Sequence, residues 1–139
     1  MSFKNVLIAK AVVCLAFAIL FLIAPTALFQ LFGVSLSIGG TFPAREYGAA
    51  LAGTMMLTWF ARGMANTEAR KPILLHLLIY DAIGFVVTVI YIINGVLNFL
   101  GWGPAAIYLF FTIGSGYLLL RKAPSTKPVW GEEHKLNTA

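Results

Sequence analysis

Charge is what this sequence has least of. Asp, Glu, Lys and Arg make up 11% of its 139 residues and hydrophobic residues 60%, where a soluble domain carries about 25% charged residues. A chain this short has too little interior to hide so much apolar surface, which excludes an ordinary water-soluble globule and makes the bilayer the expected solvent. Cysteine is nearly absent too. The single Cys14 rules out a disulfide within the chain and any cysteine metal cluster. Val13 precedes it where a lipoprotein box has a small residue, so Cys14 reads as a small buried hydrophobe.

Histidine is scarce as well. His134 lies beyond the apolar runs, so no second histidine is available for a bis-histidine haem in the membrane. His76 alone stays a candidate pigment or haem ligand, against the plainer account of an interfacial histidine bonded to headgroup or backbone. The glycines form no phosphate-binding arrangement, and there is no metal-ligand cluster and no nucleophile-and-base set. No catalytic residue is nominated, no metal site is expected, and the cofactor is left unassigned.

What the sequence does have is four long apolar stretches, over about 6–31, 42–61, 73–93 and 104–120. A helix needs about 20 mostly apolar residues to cross a hydrocarbon core of about 30 Å. None of the stretches alternates with period two, which argues against β-barrel strands. The expected fold is therefore all-α, a four-helix membrane bundle over 1–122 followed by a polar cytoplasmic tail over 123–139. Gly33, Gly39 and Gly40 mark one connection, and Gly95, Gly101 and Gly103 another. Pro43, Pro72 and Pro104 are expected in the opening turns of the second, third and fourth helices. Pro25 should kink the first helix near its far end.

The net charge of +5 does not point to nucleic acid, because the cations sit at the ends of apolar runs rather than along one face. Lys4 and Lys10 flank the first run, with Lys10 expected to snorkel to the surface. Arg62, Arg70 and Lys71 occupy the middle connection, and Arg121, Lys122, Lys127 and Lys135 the tail. The two other connections hold no cation. This pattern places both termini on the cytoplasmic side. A secretory signal peptide is the rival reading of the start, and the first segment is expected to be retained as a helix. Trp59, Trp102 and Trp130 fall near the two membrane surfaces, as an aromatic belt would. One internal echo stands out: Gly33-Val34 precedes Pro43-Ala44 much as Gly95-Val96 precedes Pro104-Ala105, as in two similar helical hairpins.

Small residues offer close packing, Gly48/Ala52 and Ala49/Gly53 on the second helix and Gly84 on the third. Ala105, Ala106, Gly114 and Gly116 do the same on the fourth. The informative residues are the ionisable ones. Asp81 lies about 13 Å into the third helix, near the midplane, where a charged group costs at least about 2.5–3.5 kcal/mol. It must face protein, be hydrogen-bonded or be neutral. Thr54 and Thr112 lie at similar depth. Asp81, Gly84, Thr88 and Tyr91 share one face of the third helix and Tyr108, Thr112 and Ser115 one face of the fourth, and the two faces are expected to meet. Arg45 and Glu46 open the second helix near the level of Gln30, Tyr91, Asn94 and Tyr108. Two readings stay open for Arg45, Glu46, Asp81, Thr88, Tyr108 and Thr112: a polar clamp that sets helix register, or an outward-opening polar pocket with Arg45 and Glu46 at its mouth and Asp81 at its floor.

The run Ala44-Arg45-Glu46-Tyr47-Gly48-Ala49-Ala50-Leu51-Ala52-Gly53 is followed by Asp81-Ala82-Ile83-Gly84 and by Gly95-Val96-Leu97-Asn98-Phe99-Leu100-Gly101-Trp102. Together they resemble uncharacterised small four-helix bacterial membrane proteins, DoxX-like in layout, over most of residues 5–120. The resemblance implies the four-helix layout and a bacterial inner membrane, and brings no catalytic or binding role. The leading functional expectation is a non-enzymatic accessory or structural subunit of a larger membrane complex, respiratory or photosynthetic, with lipids and other membrane subunits as partners. The alternative is a small-molecule binding or transport protein with its site between the second, third and fourth helices. A membrane enzyme acting on a lipid or quinone ranks last, for want of an acid–base pair.

Overall fold

Pro25 divides the first apolar run in two. In the computed structural model, which describes residues 2–65 and 67–121, helix α1 spans Phe3–Ile23 and a short α2 spans Pro25–Leu31. Proline has no N–H to continue the ladder, and its ring disfavours helical geometry at the preceding residue, so Ala24 leaves the helix at φ −136°, ψ 54° and Pro25 starts the next one. Three more helices follow: α3 over Ile38–Ala61, α4 over Thr67–Ile93 and α5 over Trp102–Leu120, the last entered through a 3₁₀ turn at Phe99–Gly101. Among the described residues there is no strand. Phe3–Ile23, Glu68–Ile93 and Phe99–Leu120 are long and apolar enough to cross a membrane.

Two of the three expected helix-opening prolines lie deeper than expected. Pro43 and Pro72 both fall inside their helices, because α3 begins at Ile38 and α4 at Thr67. Ser37 explains the earlier start of α3: its hydroxyl accepts from the Gly40 N–H at 3.2 Å and so caps a turn that the glycines alone would leave loose. Pro104 does sit in the first turn of α5. Ser2 caps α1 through the Asn5 N–H.

The helices pair as α1 with α3 and α4 with α5. Gly48 lets the first pair close, since a Cβ there would lie 2.9 Å from Phe21 Cβ and 3.2 Å from the Leu22 backbone nitrogen. Farther along, Cys14 and Ala18 pack on Leu51, and Phe3 and Leu7 on Ala61, so α3 follows α1 along its length. In the second pair, Gly84 lies under the Tyr108 ring, and a Cβ there would come within 2.6 Å of it. The other expected small-residue pair faces away: Ala49 is exposed and nothing lies within 4 Å of Gly53.

The two connections at the far end share one design. Gly33 and Gly95 take positive φ, +82° and +71°. In both, the next residue's N–H reaches back to the start of the final turn, Val34 to Phe29 and Val96 to Tyr91, each at 3.0 Å. Asn98 ties the two together, its backbone N–H donating to the Phe32 carbonyl and its side-chain amide to the Leu31 carbonyl, both at 2.9 Å. At the opposite end Phe3, Leu7, Ala61, Leu74 and Leu77 form a core cluster, with Leu118 and Leu119 packed on it and the Arg70 guanidinium 4.6 Å from the Phe3 ring centre. Both ends of the described chain, and with them Arg62 and Arg70, thus share that end.

Polarity runs opposite to that of a water-soluble domain. Ile38, Phe99 and Leu120 are 93%, 83% and 87% exposed, whereas Lys10, Thr58, Asp81 and Ser115 are buried. Such an exterior suits acyl chains rather than water.

Candidate functional site

Helix α1 turns Lys10 inward. This corrects the expectation that it snorkels to the surface: Lys10 is 2% exposed and its ammonium donates to Asp81 Oδ1, forming a buried salt bridge across 71 positions of sequence. The reason is mutual. An unpaired charge of either sign in this interior is costly, and the pairing of α1 against the α4–α5 hairpin brings the two to one depth. The ammonium also lies 4.6 Å from the Phe111 ring centre, 5.2 Å from that of Tyr80 and 6.0 Å from that of Tyr108. Aromatic faces stabilise a cation that has left water.

Beside this pair lies a chain of three phenols. The Tyr47 hydroxyl, from α3, stands between those of Tyr80 on α4 and Tyr108 on α5, at 2.5 and 2.7 Å. Tyr47 is held edge-on to Phe21, with ring centres 5.0 Å apart, and the bare backbone of Gly84 gives Tyr108 its place. Thus α1, α3 and α5 each contribute one polar group, and α4 two, to a single cluster. Two buried oxygens near it in sequence, Asp81 Oδ2 and Ser115 Oγ, have no hydrogen-bond partner among the described residues.

The cluster forms one end of a cavity of about 180 Å³. Lys10, Tyr47, Tyr80, Thr88 and Tyr108 supply its polar lining, and Phe17, Phe21, Phe29 and Phe32 much of its apolar wall. Cys14 also lines it. The shape is that of a small-ligand site: mostly apolar, with a few convergent polar groups.

No family model, curated protein or solved structure matches the chain. The site's meaning therefore rests on its geometry.

The residues nominated from sequence fall in three places. Asp81, Tyr108 and Thr88 lie in or beside the cluster. Thr88 returns its hydroxyl to the Gly84 carbonyl at 2.7 Å, and Thr112 returns its own to the Tyr108 carbonyl at 2.8 Å, so both satisfy themselves on their own helices. Arg45 and Glu46 are exposed, outside the cavity lining, and make no hydrogen bond or ion pair among the described residues. Gly84 and Tyr108 bring the expected faces of α4 and α5 together, although Tyr91 is exposed. His76 is exposed and its ring stacks on Tyr80 at 6.0 Å. Among the described residues no group of three or more His, Cys, Asp or Glu could hold a metal ion. Lys122, Lys127, Trp130, His134 and Lys135, with the proposed tail, lie outside the described residues.

Sequence reading missed Lys10, Tyr47 and Tyr80 as site residues. A signal for the first existed. Asp81 needs a cation at its own depth, and Lys10 stands well inside the first apolar run. The tyrosines carry no such signal, because an isolated tyrosine in an apolar helix reads equally well as part of an aromatic belt.

Proposed function

We propose that the chain is an integral membrane protein of four crossings, with both termini on the cytoplasmic side of a bacterial inner membrane, that binds a small lipophilic molecule in its interior. Helix α3 is the fourth crossing. It has 24 residues, about 36 Å at 1.5 Å per residue, and runs beside α1 from Leu22 to Phe3, so it covers the depth that α1 covers. The cations of Lys4, Arg62, Arg70, Lys71 and Arg121 gather at the end that the orientation places inside. Impermeant labelling of Cys introduced at Gly63, in a Cys14→Ala background, tests this. Labelling in broken but not intact cells supports the orientation, and labelling in intact cells overturns it.

The cavity carries the binding reading. A purely structural helix bundle gains by filling such a space, since each missing contact lowers stability. Here four helices instead direct a salt bridge and three phenols to one end of an aromatic-walled space. Ethylbenzene titrated into the full chain in lipid nanodiscs, followed by calorimetry, is the test. Saturable one-to-one binding that is lost on Ile107→Trp, which fills the space from α5, supports the reading. Binding unchanged by Ile107→Trp counts against it.

A second reading, the accessory subunit of a larger membrane complex, has one observation in its favour. Ala49 and Gly53 form a bare small-residue face on α3, on the same helix as the exposed Arg45 and Glu46, a surface on which another helix could lie. Gentle solubilisation from native membranes and sizing separates the two readings. A lone monomer removes the second.

A further inference from the structure

Counting protons on the three tyrosines says more about what the cavity takes. This step rests on the binding reading above. Each phenol has one proton to donate. Tyr47, Tyr80 and Tyr108 are joined by two hydrogen bonds, with Tyr47 in the middle, and none of the three donates elsewhere among the described residues. Those two bonds match two of the three protons, and no third bond of full hydrogen-bond geometry matches the last, although Tyr80 and Tyr108 also approach each other. The three tyrosines are half-buried, and a phenolic proton turned into an apolar space without an acceptor is poorly repaid for leaving water. All three tyrosines line the cavity.

Charge narrows the class further. Lys10 lines the cavity and would attract an anion, but Asp81 neutralises it and the aromatic rings surround it. A bound carboxylate would be a third, uncompensated charge in the interior. Size narrows it again. An apolar cavity of about 150 Å³ holds benzene, so about 180 Å³ admits one ring with a short substituent.

We infer that the tyrosine chain is the recognition element of this site, and that it selects a neutral single-ring molecule bearing one hydrogen-bond-accepting oxygen, such as a carbonyl, over its hydrocarbon and anionic analogues. The oxygen accepts the unmatched phenolic proton while the ring lies among Phe17, Phe21 and Phe29.

Three probes that differ at one group test this on the full chain in nanodiscs: acetophenone, ethylbenzene and benzoate. Acetophenone is expected to bind about five-fold more tightly than ethylbenzene, one net hydrogen bond's worth, with benzoate the weakest. The carbonyl stretch of bound acetophenone should fall below its position in hexane. In the triple variant Tyr47→Phe, Tyr80→Phe, Tyr108→Phe, the preference for acetophenone over ethylbenzene should vanish. Equal binding of acetophenone and ethylbenzene, an unshifted carbonyl stretch, tightest binding by benzoate, or a preference that survives in the triple variant would each overturn the inference while leaving the cavity a binding site. Should the triple variant fail to fold, the wild-type affinities and the carbonyl stretch decide alone. If none of the probes binds, the binding reading falls and the inference with it.

Discussion

Arg45 with Glu46 and Lys10 with Asp81 are both pairs of opposite charge on the apolar helices of this protein, and they have little else in common. Arg45 and Glu46 are neighbours in sequence, yet both are exposed and neither pairs with the other. Lys10 and Asp81 are 71 positions apart, and both are buried in one salt bridge. Successive residues on a helix point about 100° apart, so adjacency in sequence works against contact. The buried pair forms because two helices, each carrying one charge, face each other at one depth. What an ionisable residue does in such a chain depends on its depth and its facing, and only its depth can be counted along the sequence.

That contrast can be broken or sharpened by substitution, with stability read by denaturant titration in detergent micelles. The largest effect belongs to the buried pair. Lys10→Met alone should cost about 3–5 kcal/mol, because it leaves Asp81 buried and uncompensated. The double variant Lys10→Met with Asp81→Leu should recover most of that loss, since an apolar pair of similar volume needs no compensation. A double variant as unstable as the single would show that the pair does more than cancel charge.

The next effect extends the contrast from charges to glycines on one helix. Gly48→Ala should cost about 1–3 kcal/mol, because the new methyl meets Phe21 and the backbone of Leu22 and must push α3 off α1. Gly53→Ala, with open space around it, should leave stability unchanged or slightly raised. Equal costs at the two positions would mean that α3 is rotated from the face described.

Tyr47→Phe comes third. It removes both bonds of the phenol chain, and interhelical hydrogen bonds in membranes average about 0.6 kcal/mol, so a loss of about 1 kcal/mol is expected. The smallest effect belongs to the exposed pair. Arg45→Gln and Glu46→Gln should each leave the unfolding midpoint within error of the wild type, as unpartnered surface charges do. A marked loss at either would reveal a partner on α3 from another subunit, and would favour the accessory-subunit reading.

Much of the fold was legible beforehand because lipid imposes a simple rule: every backbone polar group must be satisfied within a helix, so long apolar runs become helices. The break at Pro25 and the glycine turns at Gly33 and Gly95 follow from backbone chemistry alone. The start of α3 did not, because the Ser37 cap competes with a glycine-rich stretch that reads as loop. The site was legible only in part. Asp81 announced itself by its depth, whereas Lys10 passed for an interfacial cation and Tyr47 and Tyr80 carried no signal of their own. Nothing local to a tyrosine says that two others, 33 and 61 positions away, will meet its hydroxyl.

By itself, the order of residues determined an all-helical chain built for an apolar solvent, with most of its cations near the ends of the apolar runs, because hydropathy and charge act through solvation and need no partner to be counted. Tertiary structure decided that Lys10 faces Asp81, that three phenols share one chain of hydrogen bonds, and that a cavity remains beside them. Those outcomes depend on the rotation and register of one helix against another, which are set by small contacts such as Gly48 on Leu22 and Gly84 under Tyr108 rather than by composition.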